Sequence, residues 1–351
     1  CQPMSRHGDL AELKGVQGSY DTVVVDEAAR ATPLDLFIPM AKASRRIVLV
    51  GDHRQLPHIL DRELERELEE ELSTESTASQ RTKEMLNESL FKRLFDDLRR
   101  REARDGIRRT VTLDEQYRMH PTLGDFVSAQ FYPAGEAFRS PRPAADFAHS
   151  LPDYSGPAAW LRVPRTVERD GERTSGHSKA RPSEAAAIVA ELKRLMDSRE
   201  GRQLTFGVIS FYSAQVDLLA EELERAGMAY RSEDEVTEIA EPYREVQLEN
   251  GRSAERLRYG TVDAFQGMEF DVVFLSMVRS NTFRDHSEKA CRMKYGHLMS
   301  PNRLCVAMSR QKRLLVVAGD DGMLRSAGAA SAIGPLVGFR ELSEVRDAAR
   351  V

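Results

Sequence analysis

Two adjacent carboxylates follow an apolar, β-branched run near the start of the chain, and acids in that position can support phosphoryl transfer. The run is Asp21-Thr-Val-Val-Val-Asp26, and Glu27 comes next. A phosphoryl-transfer site needs one carboxylate to hold Mg²⁺, usually through water, and another to orient the attacking water. Asp26 and Glu27 can divide these roles because successive strand side chains point in different directions. Taken alone, the pair also fits the start of an ordinary helix.

Four later blocks carry polar and charged residues of the same kind. They are Val-Gly-Asp-His-Arg-Gln-Leu-Pro at 50–57, Glu-Gln-Tyr-Arg-Met-His-Pro at 115–121, Thr-Val-Asp-Ala-Phe-Gln-Gly-Met-Glu at 261–269 and Asn-Arg-Leu-Cys-Val-Ala-Met-Ser-Arg at 302–310. Gln55, in the first of them, is placed to sense a γ-phosphate. Seen singly, Arg118 and Arg310 also fit ordinary salt bridges, and Tyr117 also fits core packing.

The elements around these blocks alternate between strands and helices. The apolar runs 21–26 and 46–50 predict two strands buried in a parallel sheet, with a short helix at 33–44 between them. Polar residues stand at the carboxyl ends of both strands, where open α/β sheets bind ligands. Further on, we predict strands at 158–163, 206–210, 260–262, 271–278 and 313–317 and helices at 183–197, capped by Ser183, at 214–226 and at 301–309. The sequence therefore predicts an α/β protein with parallel sheets and helices on both faces.

The stretch from 61 to 104 differs from its surroundings. It is rich in charged residues, with leucines at helical spacing in 62–72 and 83–101. The pattern indicates either two solvated helices inserted into the first domain or an arm that binds a partner or a nucleic-acid strand. We place the end of the first domain at residue 87, a second domain at 88–325 and a tail at 326–351.

Composition excludes some classes of protein. The formal net charge is −5, which is weak evidence against a nucleic-acid partner because phosphate contacts usually require a basic surface. No run of about 18 apolar residues occurs, so we expect no membrane partner. Three scattered cysteines form neither a disulfide framework nor a four-ligand zinc site, which favours a cytoplasmic location.

The blocks, in this order, closely resemble those of superfamily 1B helicases, the class that includes the nonsense-mediated-decay helicase and the Okazaki-fragment helicase-nuclease. The family's motif II reads Asp-Glu-Ala/Ser, and its motif III reads Gly-Asp-x-x-Gln-Leu. Residues 206–215 resemble a sixth family segment, so the likeness spans roughly residues 20–319. The resemblance implies RecA-like lobes, of which the first would be incomplete and the second complete, and an ATP-dependent motor acting on single-stranded DNA or RNA.

The resemblance also implies roles for individual residues. Asp26 would hold Mg²⁺ through water, Glu27 would polarise the attacking water, and Gln55 would contact the γ-phosphate of ATP. Arg118 and Arg310 would serve as arginine fingers. Tyr117 would stack on the adenine, and Gly267 and Glu269 would lie near the ribose and phosphates. Arginine fingers contribute about 10³ to 10⁵ in rate. Tyr212, Thr261 and Gln266 are candidate nucleic-acid contacts, because aromatics, hydroxyls and amides serve in strand channels, and a structural role stays equally open for them.

The sequence departs from the family pattern in one large respect. It contains no Gly-x-x-x-x-Gly-Lys-Ser/Thr loop, whose backbone N–H groups and lysine would hold the phosphates. We therefore expect this chain alone to be inactive as an ATPase. The chain begins at Cys1, which favours a piece of a longer reading frame. Half of a split motor and a non-hydrolysing interaction module are the alternatives. Ser309, Cys305 and Ala29 are smaller departures that remove no charge.

Overall fold

A computed structural model describes residues 19–56, 89–167, 170–176, 178–248 and 251–348. The chain divides into two compact units, Cys1–Val111 and Thr112–Val351. Most of the charged stretch predicted as two inserted helices falls in 57–88, outside the described residues. None of the helices within the described ranges has the length and apolarity needed to cross a membrane.

The first unit contains a strand–helix–strand element close to the predicted one. Strand β1 (Tyr20–Val25) pairs in parallel with β2 (Ala43–Leu49), and helix α1 (Pro33–Met40) connects them. Thr32 caps α1 in a capping box: its hydroxyl accepts from the Asp35 backbone N–H, and the Asp35 carboxylate accepts from the Thr32 backbone N–H. The sequence therefore defines the start of this helix.

Both strands of the first unit are more exposed than their sequence predicts. Burial on two faces was expected, but Val24 is 64% exposed, and Ile47 and Val48 are also exposed. The reason is that the described elements of this unit form only a small core around Leu36 and Phe91. Phe91 lies on helix α2 (Leu90–Asp105), whose preceding residue Ser89 donates to the Ala29 carbonyl at 3.0 Å. That helix belongs to the first unit, whereas the sequence placed it in the second.

The second unit is built on a six-stranded sheet in which every pair of neighbours is parallel. Its spatial order is β11 (Leu257–Thr261), β6 (Phe206–Ser210), β12 (Phe270–Ser276), β13 (Gln311–Gly319), β3 (Ala158–Arg162) and β14 (Glu344–Asp347). The apolar runs of β12 and β13 are buried on both faces, as continuous apolar strands require. The predicted α/β class with a parallel sheet is confirmed, and the sheet is consistent with a RecA-like lobe.

Helices and small hairpins surround this sheet. The helices are α3 (Pro121–Phe131), α4 (Pro182–Asp197), α5 (Ser213–Arg225), α6 (Glu241–Arg244), α7 (Glu288–Tyr295), α8 (Pro301–Ala307) and α9 (Ala329–Leu342). The hairpins pair β4 (Arg173–Ser175) with β5 (Ser178–Ala180), β7 (Ala229–Arg231) with β8 (Thr237–Ile239), and β9 (Glu245–Gln247) with β10 (Ser253–Glu255). Helices α4 and α5 contribute to the main core on one face of the sheet.

Two local expectations differ from the structure. Arg181, not Ser183, occupies the N-cap position of α4, because Pro182 fits the first helical position, where no N–H is needed. The segment expected as a tail, 326–351, contributes α9 and the edge strand β14 in its described part. Phe339 of α9 is fully buried and packs edge-on against Phe126, with ring centroids 5.6 Å apart. The apolar face of α9 therefore makes it part of the second unit.

Candidate functional site

The predicted site residues of the second unit lie at two opposite edges of the sheet. Because the strands are parallel, all their amino ends share one edge and all their carboxyl ends share the other. Glu269 and Arg310 stand directly before β12 and β13, at the amino edge. Tyr212 follows β6 and Thr261 ends β11, both at the carboxyl edge. The fold thus separates Glu269 and Arg310, expected at the nucleotide, from Tyr212 and Thr261, expected at the nucleic acid.

A cluster of charged side chains forms at the amino edge. The Arg118 guanidinium donates from Nε to Glu269 Oε2 at 2.9 Å and from Nη1 to the Ser309 carbonyl at 3.2 Å. Lys312 Nζ lies 3.1 Å from the other oxygen of Glu269. Burial opposes ionisation of Glu269, but the Arg118 hydrogen bond and the Lys312 charge together lower its pKa. Glu269 is therefore an anion held between two cations.

The backbone around Arg118 is fixed by the side chain of Gln116. Its Oε1 accepts from the N–H groups of Arg118 at 3.0 Å and Met119 at 2.8 Å, and its Nε2 donates to the Met119 carbonyl at 3.0 Å. The next residue, His120, donates its backbone N–H to the Lys312 carbonyl at 2.7 Å and caps α3. The Gln-Tyr-Arg-Met block is thus a tight loop attached to the start of β13.

Tyr117 points its ring to the surface from the same loop. It is 57% exposed, and its hydroxyl donates to Glu115 at 2.5 Å. This hydrogen bond to a carboxylate raises the pKa of Tyr117. An exposed aromatic ring is compatible with the predicted stacking on adenine, which stays a prediction.

Arg310 lies in a different environment from Arg118. It is 1% exposed, and its guanidinium donates to the Val306 carbonyl at 3.1 Å, to the Ser309 hydroxyl at 2.8 Å and to the Met268 carbonyl at 3.5 Å. In this arrangement the side chain connects the end of α8 to the loop before β12. Its role as an arginine finger stays a prediction, and contact with a phosphate would require the side chain to leave these oxygens.

The loop from Thr261 to Glu269 returns the chain from the carboxyl edge to the amino edge. Phe265 anchors it, because its ring is fully buried and lies 5.5 Å from that of Phe270. Gly267 has φ of +80°, and among the described residues other than its two neighbours no atom lies within 4 Å of the position that a Cβ would occupy. The loop therefore presents open backbone at Gly267, and Gln266 beside it is half-buried. Their predicted ligand contacts stay predictions.

At the carboxyl edge, Tyr212 is held inside the protein. It is 5% exposed, and its hydroxyl accepts from the His297 backbone N–H at 3.1 Å and from Arg279 Nη1 at 3.4 Å. The exposed ring that lies against it belongs to His297, with centroids 5.0 Å apart. Thr261 is half-buried at the end of β11. The structure thus places Tyr212 behind the surface on which a strand contact was expected.

A buried polar network lies beneath this edge, and the sequence reasoning missed it. Glu184 accepts from the Ser276 hydroxyl at 2.6 Å, from the Val278 backbone N–H at 2.8 Å and from Arg181 Nη1 at 3.2 Å. Val278 has φ of +64°, a strained value for a β-branched residue. Burial raises the pKa of Glu184, while Arg181 opposes the shift. The network fixes the chain where it leaves β12.

Arg279 follows Val278 and links this edge to the β4 hairpin. Its Nε lies 3.0 Å from Glu172 Oε2, which also accepts from the backbone of Ser280 at 2.8 Å. Asn281 donates to the same oxygen at 2.9 Å. The residues Val-Arg-Ser-Asn directly after a buried strand were the available sequence signal, and nothing in their types distinguishes them from an ordinary loop.

In the first unit, the structure brings the two predicted turns together at the carboxyl ends of β1 and β2. The Ala28 N–H donates to the Val50 carbonyl at 2.8 Å, and a Cβ on Gly51 would lie 2.7 Å from the Ala29 nitrogen. A glycine is therefore required for this close approach. Glu27 has φ of +54°, and its N–H donates to Asp26 Oδ1 at 2.9 Å.

Gln55 is positioned by an acid of its own turn. Its Nε2 donates to Asp52 Oδ2 at 2.9 Å, and Asp52 Oδ1 accepts from the Arg54 N–H at 2.9 Å. Asp26 and Glu27 are exposed, whereas Gln55 is half-buried. The sequence thus placed all three residues at one edge of the β1–β2 pair, and the structure has them there.

Comparisons with known proteins identify the family. Two family profiles, each described as an AAA domain, match residues 86–322 and 4–63. The chain is 28% identical over 313 residues to the regulator of nonsense transcripts 1 homolog of Neurospora crassa, covering 87% of this chain and 23% of that protein. It is 25% identical to the helicase SEN1 of Saccharomyces cerevisiae, covering 90% of this chain and 12% of that protein.

The comparisons also matched a third relative and a solved structure. The DNA-binding protein SMUBP-2 of Mus musculus is 28% identical, with 86% of this chain and 25% of that protein covered. The arterivirus nonstructural protein 10 helicase superposes with a TM-score of 0.35 and 15% identity, over 89% of this chain and 43% of that one. The chain thus spans about a quarter or less of the three curated relatives named here.

Proposed function

The chain belongs to the superfamily 1 helicases of the nonsense-mediated-decay type, through the AAA domain that matches most of its length, and from that premise we propose that the protein is an ATP-dependent helicase or translocase acting on single-stranded DNA or RNA. The relatives support this proposal by their names, which include a helicase and a DNA-binding protein. Because the chain covers only a small share of each relative, the substrate and the activity of the whole protein belong to the proposal.

The observation that carries the proposal is the convergence at the amino edge. Arg118 bonds to Glu269 and to the Ser309 carbonyl, which are 151 and 191 residues away along the chain. Three separate blocks therefore supply one cluster of charged groups. An ordinary surface ion pair would not need the loop geometry that Gln116 imposes on Arg118.

In this proposal Arg118 stabilises the negative charge that develops on the transferring phosphoryl group. Its guanidinium is partly exposed, and Glu269 fixes the orientation of its plane through Nε. A cation held in place before the reaction needs no reorganisation during it, which is how such groups accelerate phosphoryl transfer. Tyr117, exposed on the same loop, would stack on the adenine of ATP.

The residues of the first unit fit the Mg²⁺ and phosphates of ATP. Asp26 and Glu27 are exposed carboxylates, and oxygen ligands of this kind are what Mg²⁺ prefers, usually with water retained between. Asp26 would hold the ion through water, and Glu27 would orient the attacking water. Gln55, fixed by Asp52, would contact the γ-phosphate. When bound, Mg²⁺ would neutralise part of the negative charge of the phosphates.

We propose that the strand lies along the carboxyl edge of the second unit. Thr261 is the candidate contact at that edge, and Gln266 is the candidate contact in the loop that leaves it. A hydroxyl and an amide both suit the backbone of a nucleic acid. The same types of contact serve DNA and RNA strands, so the proposal covers both.

The test is ATP turnover by the protein made from its complete reading frame, with Arg118→Ala beside the wild type. Turnover should fall by about 10³ or more, because an arginine finger contributes that much to phosphoryl transfer. Arg225→Ala is the matched control, since Arg225 is an exposed arginine of α5 paired with Glu221. Wild-type turnover in Arg118→Ala would contradict the proposed role.

A non-hydrolysing interaction module is the competing reading, and the same assay separates the two. The 351-residue sequence contains no Gly-x-x-x-x-Gly-Lys-Ser/Thr loop, which is the observation in its favour. A complete protein that binds single strands but shows no turnover above its Arg118→Ala variant would support the module.

A further inference from the structure

His297 presents an exposed ring at the carboxyl edge of the second unit. Tyr212 lies behind it, with the two centroids 5.0 Å apart and the planes inclined at 45°. Tyr212 is almost fully buried, so a ligand approaching this edge meets the imidazole and not the phenol. The turn after α7 therefore contributes an aromatic group that a strand can reach.

The backbone of His297 is held in place by Tyr212. The His297 N–H donates to the Tyr212 hydroxyl at 3.1 Å, and Arg279 Nη1 donates to the same oxygen at 3.4 Å. Gly296 precedes the histidine with φ of +53°, and a Cβ there would lie 2.5 Å from the Tyr212 hydroxyl and 2.6 Å from Arg279 Nη1. The close approach of this turn to Tyr212 therefore depends on a glycine.

The imidazole of His297 lies beside the guanidinium of Arg303. Arg303 Nη1 lies 3.4 Å from Nδ1, and a guanidinium can only donate, so Nδ1 accepts. Burial lowers the pKa of His297, the charges of Arg303 and Arg279 lower it further, and the charge of Asp263 opposes them. The surroundings therefore favour the neutral form of the imidazole. A neutral aromatic ring stacks on nucleobases without base specificity.

We propose that His297 is a stacking platform for one base of a single-stranded nucleic acid, with Tyr212 as the positioning residue behind it. This inference rests on the proposed function, because it names a base contact within the strand site proposed for that edge. Stacking of one base on an aromatic side chain is commonly worth about 1–3 kcal/mol, which equals roughly a 5- to 150-fold change in Kd.

The experiment measures binding of fluorescently labelled single strands to the protein made from its complete reading frame. Each variant is titrated against a DNA strand and an RNA strand of mixed sequence, and against a strand of equal length made of abasic nucleotides. His297→Ala should raise the Kd for the base-containing strands about tenfold and leave the Kd for the abasic strand unchanged. His297→Phe should restore binding, because it keeps an aromatic face.

Two further variants separate positioning from folding. Tyr212→Phe keeps the buried ring and removes the oxygen that accepts from His297, so it should weaken binding of base-containing strands only. Tyr230→Ala removes an exposed aromatic ring from β7, which follows the far end of α5, and should bind every strand like the wild type. Thermal unfolding of each variant confirms that the fold is retained.

The outcomes distinguish this inference from the proposed function. Wild-type affinity of His297→Ala for base-containing strands would overturn the stacking platform and leave the helicase proposal intact. An equal loss on the abasic strand, or no restoration by His297→Phe, would also overturn it. A wild-type protein that binds no single strand would overturn the proposed function, and the inference with it.

Discussion

Arg118 and Arg310 approach the same edge of the sheet in different environments. Arg118 is partly exposed and paired with a carboxylate, whereas Arg310 is buried and donates to uncharged oxygens, among them the Val306 carbonyl. Moving Arg310 to a ligand would break hydrogen bonds inside the protein, and that free energy must come from ligand binding. The two arginines therefore differ in how much rearrangement a contact with phosphate would require.

At the same scale, Gly296 is a residue whose replacement has a predictable cost. Gly296→Ala combines a positive φ with overlap against Tyr212 and Arg279, so the free energy of unfolding should fall by about 2–4 kcal/mol. Chemical denaturation of wild type and variant measures this difference.

The control for Gly296 is Gly227, which ends the turn after α5. Its φ is +69°, but apart from its two neighbours no atom of the part of the chain that the structure describes lies within 4 Å of the position of a Cβ. Gly227→Ala should therefore lose only about 1–2 kcal/mol, the cost of the backbone conformation alone. Equal losses in the two variants would show that the Tyr212 side chain yields without cost, and would weaken the argument that the turn is held against it.

At the scale of elements, Asp285 joins the loop after β12 to two helices. Its Oδ2 accepts from the Tyr295 hydroxyl of α7 at 2.9 Å and from the Gly328 N–H before α9 at 2.8 Å. A hydrogen bond from Ser326, together with these contacts, lowers the pKa of Asp285 to about 2. The ionised form is therefore favoured by the folded state.

This shift predicts a pH dependence of stability. Because the folded pKa is below the unfolded value of about 3.9, the stabilisation is fully present above pH 5 and is lost as the pH falls toward about 2. Asp285→Asn should be less stable than wild type by about 1–2 kcal/mol at pH 7, and the difference should shrink by about half at pH 3. Denaturation at both pH values measures it.

The exposed Asp234 provides the control for that prediction. Asp234→Asn should match the wild type at pH 7 and at pH 3. A gap between wild type and Asp285→Asn that stays constant between these pH values would contradict the assignment of an ionised Asp285.

The elements that the sequence predicted well are those whose signal is local. The apolar runs of β6 and β12 specify buried strands, because a continuous apolar segment of that length has to be covered on both faces. Strand β14 has one apolar residue, Val345, and it forms because it pairs with β3. Val345 is in register with Trp160, which is 185 residues earlier (345 − 160). Pairing between distant segments is not encoded in the local pattern, so this strand was taken for a tail.

The candidate site divides in the same way. The blocks carrying Glu27, Gln55 and Arg118 were found from residue types and order. The burial of Tyr212 and the exposure of His297 were not, because they depend on how Gly296 lets the turn approach Tyr212. Lys312, beside Glu269, was also missed, since one lysine at a strand start carries no signal of its own.

At the scale of the whole molecule, the net charge of −5 gave no indication of a nucleic-acid partner. Much of the charge is paired locally, as in the Arg303–Asp263 pair at 3.7 Å near His297. Binding of a nucleic acid depends instead on how the charged and polar side chains are arranged at each edge of the sheet. The two units carry separate sets of candidate residues, with Asp26, Glu27 and Gln55 in the first and the arginines, Glu269 and the strand contacts in the second.

The central claim is that these sets belong to an ATP-driven motor, and one measurement tests it most directly. Steady-state ATP turnover is recorded for the protein from its complete reading frame, without nucleic acid and with single-stranded DNA or RNA, beside Glu27→Gln and the exposed control Glu233→Gln. We predict turnover stimulated by a strand, lowered by about 10²- to 10⁴-fold in Glu27→Gln and unchanged in the control. Absence of turnover in the wild type, or equal turnover in Glu27→Gln, would contradict the claim.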